Sequence, residues 1–275
     1  MSFRSTPHSN LAVRVTTALL GIPVVLAVDY AGGLPFALLV ALVTAAGVLE
    51  FCLMCRRVGL APIVLLSVPA AVSLAVLPVS VHQPQTAWIG LIVLLLVGAG
   101  SASLLPGRFR SGLLSWTVTV IAVLYVGLLL GHLTLLRGMR DGAWWVFDTL
   151  VITWAYDTGA YFAGSLLGRR PFMHHISPKK TVEGVLGGLF LSGLAGLIFV
   201  PTTGLVPWQG ILLGVALAVA AQAGDLVESM VKRQTGVKDS GALVPGHGGI
   251  LDRIDSLLFT APLAAYAALL LGYGS

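Results

Sequence analysis

Residues 225–255 combine carboxylates, lysines and glycines in a spacing that suits phosphate chemistry. The segment holds five of the chain's eleven acidic residues and four of its sixteen basic ones. Four polar residues spaced three and four apart would form one stripe on a helix. These are Gln222, Asp225, Ser229 and Lys232. Asp252 and Asp255 follow one turn apart at the expected start of the next apolar helix, so the segment predicts a metal-assisted phosphate site.

A magnesium ion would account for the acidic residues of this segment. Carboxylate oxygens are ligands that hard divalent cations prefer, and no matching surplus of lysine accompanies them in the sequence. Asp225 lies two helical turns from Lys232, too far for a direct ion pair, and an unpaired buried carboxylate is costly. A metal shared by Asp225 and Asp252, with Asp255 as a third candidate ligand, would offset that cost. A hydrogen-bonded carboxylate clamp between helices is the alternative, and the role of Glu228, which lies off the stripe, stays open.

The glycine cluster at 246–249 could bind phosphate through its backbone. Glycines let N–H groups approach a phosphate closely, and the N-terminus of the following helix favours an anion. Gly248 and Gly249 are candidate binding residues in this cluster. His247, which lies between glycines, could bind phosphate, transfer a proton or shape the loop, and the sequence does not choose.

A second basic segment, SPKKT at 177–181, predicts another anion site. Ser177 is expected to be the N-cap of a helix that has Pro178 at its first position. Lys179 and Lys180 would then lie in the first turn, where the helix dipole favours acids, so a bound phosphate would explain them. Attraction to anionic lipid headgroups is the alternative interpretation of these lysines.

Asp157 lies in the middle of an apolar segment, with Thr158 and Tyr161 within one helical turn of it. An intramembrane carboxylate costs about 2.5–3.5 kcal/mol on insertion scales, so it normally faces protein or a wet cavity. A functional role and a structural pairing with a buried donor both fit. Two GxxxG patterns, at 164–168 and 184–188, predict close helix contacts in lipid.

The composition indicates which kind of fold must position these residues. Hydrophobic residues make up 57% of the chain, charged residues 10%, and the mean hydropathy is +0.95. Such a chain has too little polar surface to cover a soluble core, so we predict an all-α integral membrane protein. We expect a single transmembrane domain over 1–275, with an apolar helical scaffold at about 1–150 and a motif-bearing catalytic part at about 153–257. No small-residue cleavage site follows the first apolar run, which indicates a span and not a signal peptide.

Nine apolar segments, each near the roughly 20 residues that cross hydrocarbon, predict a polytopic bundle of about nine transmembrane helices. They are 11–29, 34–54, 61–81, 87–105, 113–136, 145–168, 182–200, 208–231 and 254–273. With a cytoplasmic N-terminus, 14 of the 16 basic residues lie on the cytoplasmic side, which leaves Arg137 and Arg140 on the other. This orientation places the C-terminus outside. It brings the loops at 168–181 and 232–253 to the cytoplasmic face, where a polar active-site cleft would open.

The polar motifs of the second half match a known signature. They are Ser229-x-x-Lys232-Arg233, Lys238-Asp239, Pro245, His247-Gly248-Gly249 and Asp252-Arg253-x-Asp255. The segments 157–161 and 177–184 add to the match. In these motifs the chain resembles the phosphatidate cytidylyltransferases, also called CDP-diacylglycerol synthases. The resemblance covers roughly residues 153–257, whereas the first 150 residues agree only in being apolar spans.

The resemblance implies a multi-pass enzyme of the cell (inner) membrane that depends on Mg²⁺ and is usually a homodimer. It implies the synthesis of CDP-diacylglycerol and pyrophosphate from CTP and phosphatidic acid in phospholipid biosynthesis, and no nucleic-acid partner is expected. The catalytic residues would be Asp225, Lys232, Asp252 and Asp255, with the three aspartates also binding metal. The substrate-binding residues would be Ser177, Lys179, Lys180, Ser229, Lys238, Asp239, His247, Gly248, Gly249 and Arg253. The sequence leaves open whether a second, monovalent cation assists.

Two other functions stay open at the level of sequence. A related CTP-dependent transferase could act on another membrane lipid with the same motifs. A secondary transporter also places acids and broken helices inside a bundle. Against a transporter, the acids gather in one polar loop, and the two halves of the chain show no paired helix interruption.

Overall fold

Eleven α-helices follow one another in the computed structural model, which describes residues 7–79, 84–104, 112–244, 246 and 248–274. They are α1 (Pro7–Ala31), α2 (Gly33–Arg57), α3 (Val64–Val76), α4 (Pro84–Ser103), α5 (Gly112–Ala122), α6 (Leu129–Arg137), α7 (Gly142–Leu167), α8 (Val182–Ile198), α9 (Val200–Thr203), α10 (Pro207–Gln234) and α11 (Leu251–Leu270). Within the described ranges there are no strands, only isolated bridges between Pro171 and Thr181 and between Val244 and Gly248. The predicted all-α fold is confirmed.

The helices have the length and surface of membrane spans. Five described helices are long and apolar enough to cross a bilayer: Gly33–Arg57, Pro84–Ala102, Gly112–Arg137, Pro207–Gln234 and Leu251–Leu270. Large apolar side chains also point outward, as Leu42, Leu65 and Phe190 show, with 70%, 89% and 68% exposed. Soluble monomers rarely expose so much apolar surface, and a bilayer would cover it. The chain is therefore a multi-pass membrane protein, while the count of nine spans stays a prediction.

A π-helical segment, Val123–Leu128, joins α5 to α6 in one continuous span. Such segments are rare, and they re-aim the side chains around them. At this point the span packs against α3, since a Cβ added to Gly127 would lie 2.6 Å from the Ala71 carbonyl oxygen. The same segment carries Tyr125, whose hydroxyl is buried.

Glycines bring the helices of the second half into close contact. A Cβ on Gly188 of α8 would lie 2.6 Å from the ring of Tyr156 on α7. On α10, a Cβ on Gly224 would overlap the backbone carbonyl of Asp255 on α11. Small residues of this kind let helix backbones approach in lipid, as the GxxxG pattern at 184–188 predicts. These contacts place α7, α8, α10 and α11 around one polar cluster.

The two ends of α11 contact different parts of the bundle. Its first turn lies beside α2, through Glu50, whereas Tyr273, just beyond its last turn, accepts a hydrogen bond from Arg140 N at 3.1 Å. The Arg140 guanidinium also lies over the Tyr273 ring, 4.6 Å from its centroid. A helix of 20 residues is about 30 Å long. The acidic cluster and Arg140 are therefore at opposite ends of the bundle.

Candidate active site

Asp252 lies in the first turn of α11 and holds the preceding loop in place. Its Oδ2 accepts hydrogen bonds from Ser240 N, Ser240 Oγ and Gly249 N, each at 2.9 Å. Its Oδ1 accepts one from Lys232 Nζ at 2.7 Å, and the side chain is only 5% exposed. Asp252 therefore fixes Ser240 and Gly249 against α11 and links that helix to α10.

Lys232 lies between two carboxylates at the end of α10. It forms ion pairs with Asp252 and, one turn back on its own helix, with Glu228, whose side chain is fully buried. Glu228, whose role the sequence left open, thus balances the charge of this lysine. Lys232 thus links α10 to α11 through two carboxylates, and a phosphate contact by Lys232 would share the lysine with both acids.

Asp225 has a different partner. Its carboxylate forms an ion pair with Lys180, from the loop before α8, and accepts a hydrogen bond from the Ser229 hydroxyl at 3.2 Å. As the seven-residue spacing predicts, the described residues show no ion pair between Asp225 and Lys232. Lys180 offsets the charge that the sequence left without a partner, so Asp225 has a lysine partner in addition to any metal.

The predicted helix start at Ser177 is wrong. Helix α8 begins at Val182, and its N-cap is Thr181, whose side chain accepts a hydrogen bond from Gly184 N at 3.1 Å. Glu183 supplies the acid that the first turn of a helix favours, and it also accepts hydrogen bonds from two backbone N–H groups of the preceding loop. Thr181 and Glu183 thus make a better start than Ser177, and Lys179 and Lys180 lie in the loop instead of the first turn.

A cavity of about 340 Å³ lies between α7, α8 and α10. Lys179, Lys180, Asp157 and Asp225 all line it. At its inner end the Tyr156 hydroxyl donates a hydrogen bond to Gln222 Oε1, which ties α7 to α10. The cavity therefore presents cations and carboxylates to the same small volume, which suits a phosphate group with a bound cation.

Three carboxylates interact electrostatically around this cavity. They are Asp157 of α7, Asp225 of α10 and Asp255 of α11. The neighbouring cations that act on them are Lys180, Arg253 and, for Asp255, Lys232. Asp157, which the sequence left between a functional and a structural role, therefore belongs to the same charged cluster as two predicted site residues.

The fit of a metal ion differs among the predicted ligands. Asp225 and Asp255 offer carboxylate oxygens on adjacent helices, and the Asp255 carboxylate accepts a hydrogen bond from Ser256 N. These groups suit Mg²⁺, which prefers oxygen ligands. Asp252 would have to exchange one of its four donors for the metal. In the described part of the chain no three His, Cys, Asp or Glu side chains are already grouped as a metal cluster, so the metal ligands stay a prediction.

Among the other predicted residues that the structure describes, four lie at the surface and two are glycines before α11. Lys179, Lys238, Asp239 and Arg253 are exposed. Gly248 has a left-handed backbone, with φ of 88°, and its carbonyl accepts a hydrogen bond from Val244 N at 2.9 Å. Gly249 N is bound to Asp252, so a phosphate at this glycine would compete with that contact. His247 and Pro245 lie outside the described residues.

Two residues near the site were missed by the sequence analysis. Glu50 on α2 accepts hydrogen bonds from the start of α11 and from the loop before it. The buried Tyr125 hydroxyl interacts electrostatically with Asp225, Glu228 and Asp255, and it has no hydrogen-bond partner in the described ranges. A lone acid in an apolar span could have indicated Glu50. No pattern in the sequence indicates Tyr125.

The helical bundle and its charged cavity define a class of membrane-embedded enzyme that handles phosphate groups. A model described as the cytidylyltransferase family matches residues 12–271, and the chain belongs to that family. It is 35% identical to the phosphatidate cytidylyltransferase of Staphylococcus saprophyticus over 261 residues, or 92% of this chain and 97% of the relative. It is 37% identical, with the same coverage, to the phosphatidate cytidylyltransferase of Staphylococcus aureus over 264 residues.

Proposed function

We propose that this chain transfers a cytidylyl group from CTP to phosphatidic acid, giving CDP-diacylglycerol and pyrophosphate for phospholipid biosynthesis. The observation that carries the proposal is the cavity where Lys179, Lys180, Asp157 and Asp225 meet, in a chain of the cytidylyltransferase family. It is similar, over nearly their whole length, to relatives that are named phosphatidate cytidylyltransferases. Family membership also argues against a secondary transporter.

The lipid substrate suits the position of the cavity. Tyr161 and Ser165 line it from α7, and the neighbouring Phe162 and Leu166 expose 57% and 78% of their surface. An amphipathic lipid could thus keep its acyl chains in the bilayer along α7 while its phosphate enters beside Lys179 and Lys180. This arrangement needs no extraction of the lipid from the membrane.

The reaction requires positioning and charge neutralisation more than a protein nucleophile. A phosphate oxygen of phosphatidic acid attacks the α-phosphorus of CTP, and the bond from that phosphorus to the β-phosphate oxygen breaks to release pyrophosphate. A phosphate monoester is a competent nucleophile near neutral pH. Lys179 and Lys180 would neutralise phosphate oxygens, while Lys232, bound to Asp252, would keep α10 and α11 in register.

Mg²⁺ is the expected cofactor, held by Asp225 and Asp255, with Asp252 as a third candidate after exchange of one of its donors. When bound, it would neutralise triphosphate oxygens and make pyrophosphate a better leaving group. Asp157 interacts electrostatically with both Asp225 and Asp255. Its charge would raise the affinity of this cluster for cations.

The membrane orientation follows from the distribution of charge. We infer a protein of the cell membrane with a cytoplasmic N-terminus, cytoplasmic site loops and an external C-terminus. The separation of the acidic cluster from Arg140 by the length of α11 supports this orientation, since Arg140 is one of two basic residues expected on the far side. The homodimer that the family resemblance implies is part of the same proposal.

The test is transfer of label from CTP into lipid. Purified protein in detergent–lipid micelles is incubated with Mg²⁺, phosphatidic acid and CTP that carries ³²P at the α-phosphate. The proposal expects label in the organic phase after extraction, with pyrophosphate formed in equal amount. An organic phase without label, at every Mg²⁺ concentration and with a folded protein, would overturn it.

A comparison of lipid substrates tests the remaining alternative, a related CTP-dependent transferase that acts on another membrane lipid. The same incubation is repeated with a polyprenyl phosphate and with an ether-linked archaeal-type phosphatidate in place of phosphatidic acid. Transfer that is fastest with phosphatidic acid supports the proposed substrate. Faster transfer to either of the other lipids would identify a related CTP-dependent transferase instead.

A further inference from the structure

Glu50 lies on α2, in the apolar scaffold, yet its carboxylate reaches the loop that Asp252 holds. Ile250 N donates a hydrogen bond to Oε1 at 3.1 Å, and Leu251 N donates one to Oε2 at 2.9 Å. The Ser240 hydroxyl donates to Oε2 at 3.0 Å. Glu50 is 4% exposed. None of the ion pairs formed by described residues includes it.

These contacts supply the cap that α11 otherwise lacks. The N-cap residue Ile250 has no side-chain cap of its own. The first N–H groups of a helix have no partner within the helix, and the dipole there favours a negative charge. The carboxylate of Glu50, 200 residues earlier in the chain, satisfies two of these groups. Because Asp252 lies in the same turn, Glu50 helps to set where its carboxylate lies.

Two glycines of the loop are explained by the same carboxylate. A Cβ on Gly241 would overlap Glu50 Oε1, and a Cβ on Gly249 would overlap Glu50 Oε2 and Ser240 Oγ. Both backbones thus approach the buried acid so closely that a side chain at either glycine would displace Glu50 from its present position. The loop is shaped around Glu50 as well as around any phosphate.

Ser240 couples Glu50 to Asp252. Its hydroxyl oxygen lies 3.0 Å from Glu50 Oε2 and 2.9 Å from Asp252 Oδ2. A hydroxyl has one hydrogen to donate, so it serves one carboxylate at a time. Asp252 N donates to the same oxygen at 3.3 Å. A change at Glu50 will therefore alter the hydrogen bonding of Asp252.

We propose that Glu50 is a positioning residue for the active site, acting from the scaffold through Ser240 and the first turn of α11 on Asp252. The kinetic consequences of this proposal rest on the proposed transferase function. Glu50 itself contacts no substrate in this scheme. It holds Ser240 and the first turn of α11 in the conformation in which Asp252 is anchored to Lys232.

The test compares Glu50→Gln with Leu53→Ala, a change at a half-exposed apolar residue on the same helix. Glu50→Gln keeps the size of the side chain but turns one acceptor into a donor that faces other donors. We expect kcat to fall by about 5- to 150-fold, as unsatisfied buried donors would produce, with KM for CTP and phosphatidic acid nearly unchanged. Hydrogen exchange in peptides covering 239–252 should accelerate. Leu53→Ala should change neither readout.

A double-mutant cycle separates positioning from general stability. As a single variant, Ser240→Ala should lower kcat. In the Glu50→Gln background the same substitution should lower kcat by a smaller factor, because the two residues act through one hydroxyl. Additive effects, or unchanged exchange at 239–252 in folded Glu50→Gln protein, would overturn the proposal. If the wild type transfers no label, the transferase function fails, whereas the exchange measurement still decides whether Glu50 holds the loop.

Discussion

Asp225 and Asp252 are chemically identical side chains that the structure places in different surroundings. Asp252 accepts hydrogen bonds from three donors besides Lys232 and is nearly buried, whereas Asp225 is 27% exposed and faces the cavity beside Lys180. The first arrangement suits a residue that holds a loop. The second suits one that binds a cation or a phosphate-bound metal.

This difference predicts separate metal effects for the two aspartates. Asp225→Asn removes an available oxygen ligand, so the Mg²⁺ concentration for half-maximal activity should rise by about 10- to 100-fold, the loss typical of weakened metal sites. Mn²⁺ binding, followed by electron paramagnetic resonance, should weaken in parallel. Asp141→Asn, at the far end of the bundle, is the control and should change neither quantity.

Asp252→Asn should instead lower kcat with little change in the Mg²⁺ requirement. The substitution weakens the contact with Lys232 and brings an amide N–H against the donors of the loop, so the folded protein loses turnover. Titration of activity with Mg²⁺ separates the two results. A shift as large as that of Asp225→Asn would establish Asp252 as a metal ligand, and full activity would remove it from the site.

Lys232 and Lys179 should also differ in their effects on stability and substrate binding, because their surroundings differ. Lys232→Ala leaves Glu228 buried without a partner, so we expect a loss of about 3–5 kcal/mol in stability, measured by thermal unfolding in detergent. Lys179→Ala removes an exposed cation at the cavity, so unfolding should stay unchanged while KM for one substrate rises by about 10- to 150-fold. Adding Glu228→Gln to Lys232→Ala should restore part of the stability. Equal unfolding temperatures for the two single variants would contradict this division.

At the scale of helices, close packing at glycines decides where the polar groups meet. Helix α8 lies against α7 at Gly188, and α10 lies against α11 at Gly224. The contact at Gly188 sets the distance between α7 and α8, two of the three helices that line the cavity. The chemistry thus depends on residues that carry no functional group.

Gly188→Ala should therefore destabilise the bundle. The added methyl group would press on the Tyr156 ring, which holds Gln222, and overpacking of this kind costs about 1–3 kcal/mol. Gly98→Ala on α4, where nothing lies within 4 Å of an added Cβ, is the matched control. Thermal unfolding of the two variants in the same detergent gives the comparison, and a stable Gly188→Ala protein would show that α7 and α8 can separate at no cost.

The sequence predicted many of the helices and polar site residues, but not which of these residues contact one another. Long apolar runs and periodic polar residues indicate helices directly, which is why the stripe on α10 was recognised. Pairings such as Lys180 with Asp225, and Glu50 with the start of α11, join residues far apart in the chain, so no local pattern contains them. The start of α8 differs from the prediction because Ser177 and Thr181 are both good N-cap residues, and Thr181 is the one followed by an acid, Glu183, in the first turn.

At the scale of the whole molecule, the two ends of the bundle carry different charged groups. The cluster around Asp252 lies at one end of α11, and Tyr273 contacts Arg140 at the other. A bilayer around the exposed apolar side chains would place these ends in different compartments. The orientation can be tested without reference to activity.

Single cysteines at Leu243 and Val206 should label from opposite sides of sealed vesicles. Both residues are exposed, and the native Cys52 and Cys55 are buried, so wild-type protein should react little with an impermeant thiol reagent. Labelling of Leu243→Cys from the cytoplasmic side only, and of Val206→Cys from the other side only, fits the predicted topology. Reaction of both from the same side would break it.

The contact between Glu50 and α11 has a consequence for how the protein is made. The carboxylate enters the bilayer with the second helix, whereas its donors at Ile250 and Leu251 are synthesised 200 and 201 residues later. At about 5–20 residues per second, that interval is roughly 10–40 s. Throughout it, the nascent chain carries an acid in lipid without its final partners. Insertion of α11 supplies those partners and completes the helical turn that carries Asp252, so we expect chains that end before α11 to be less stable than the full chain.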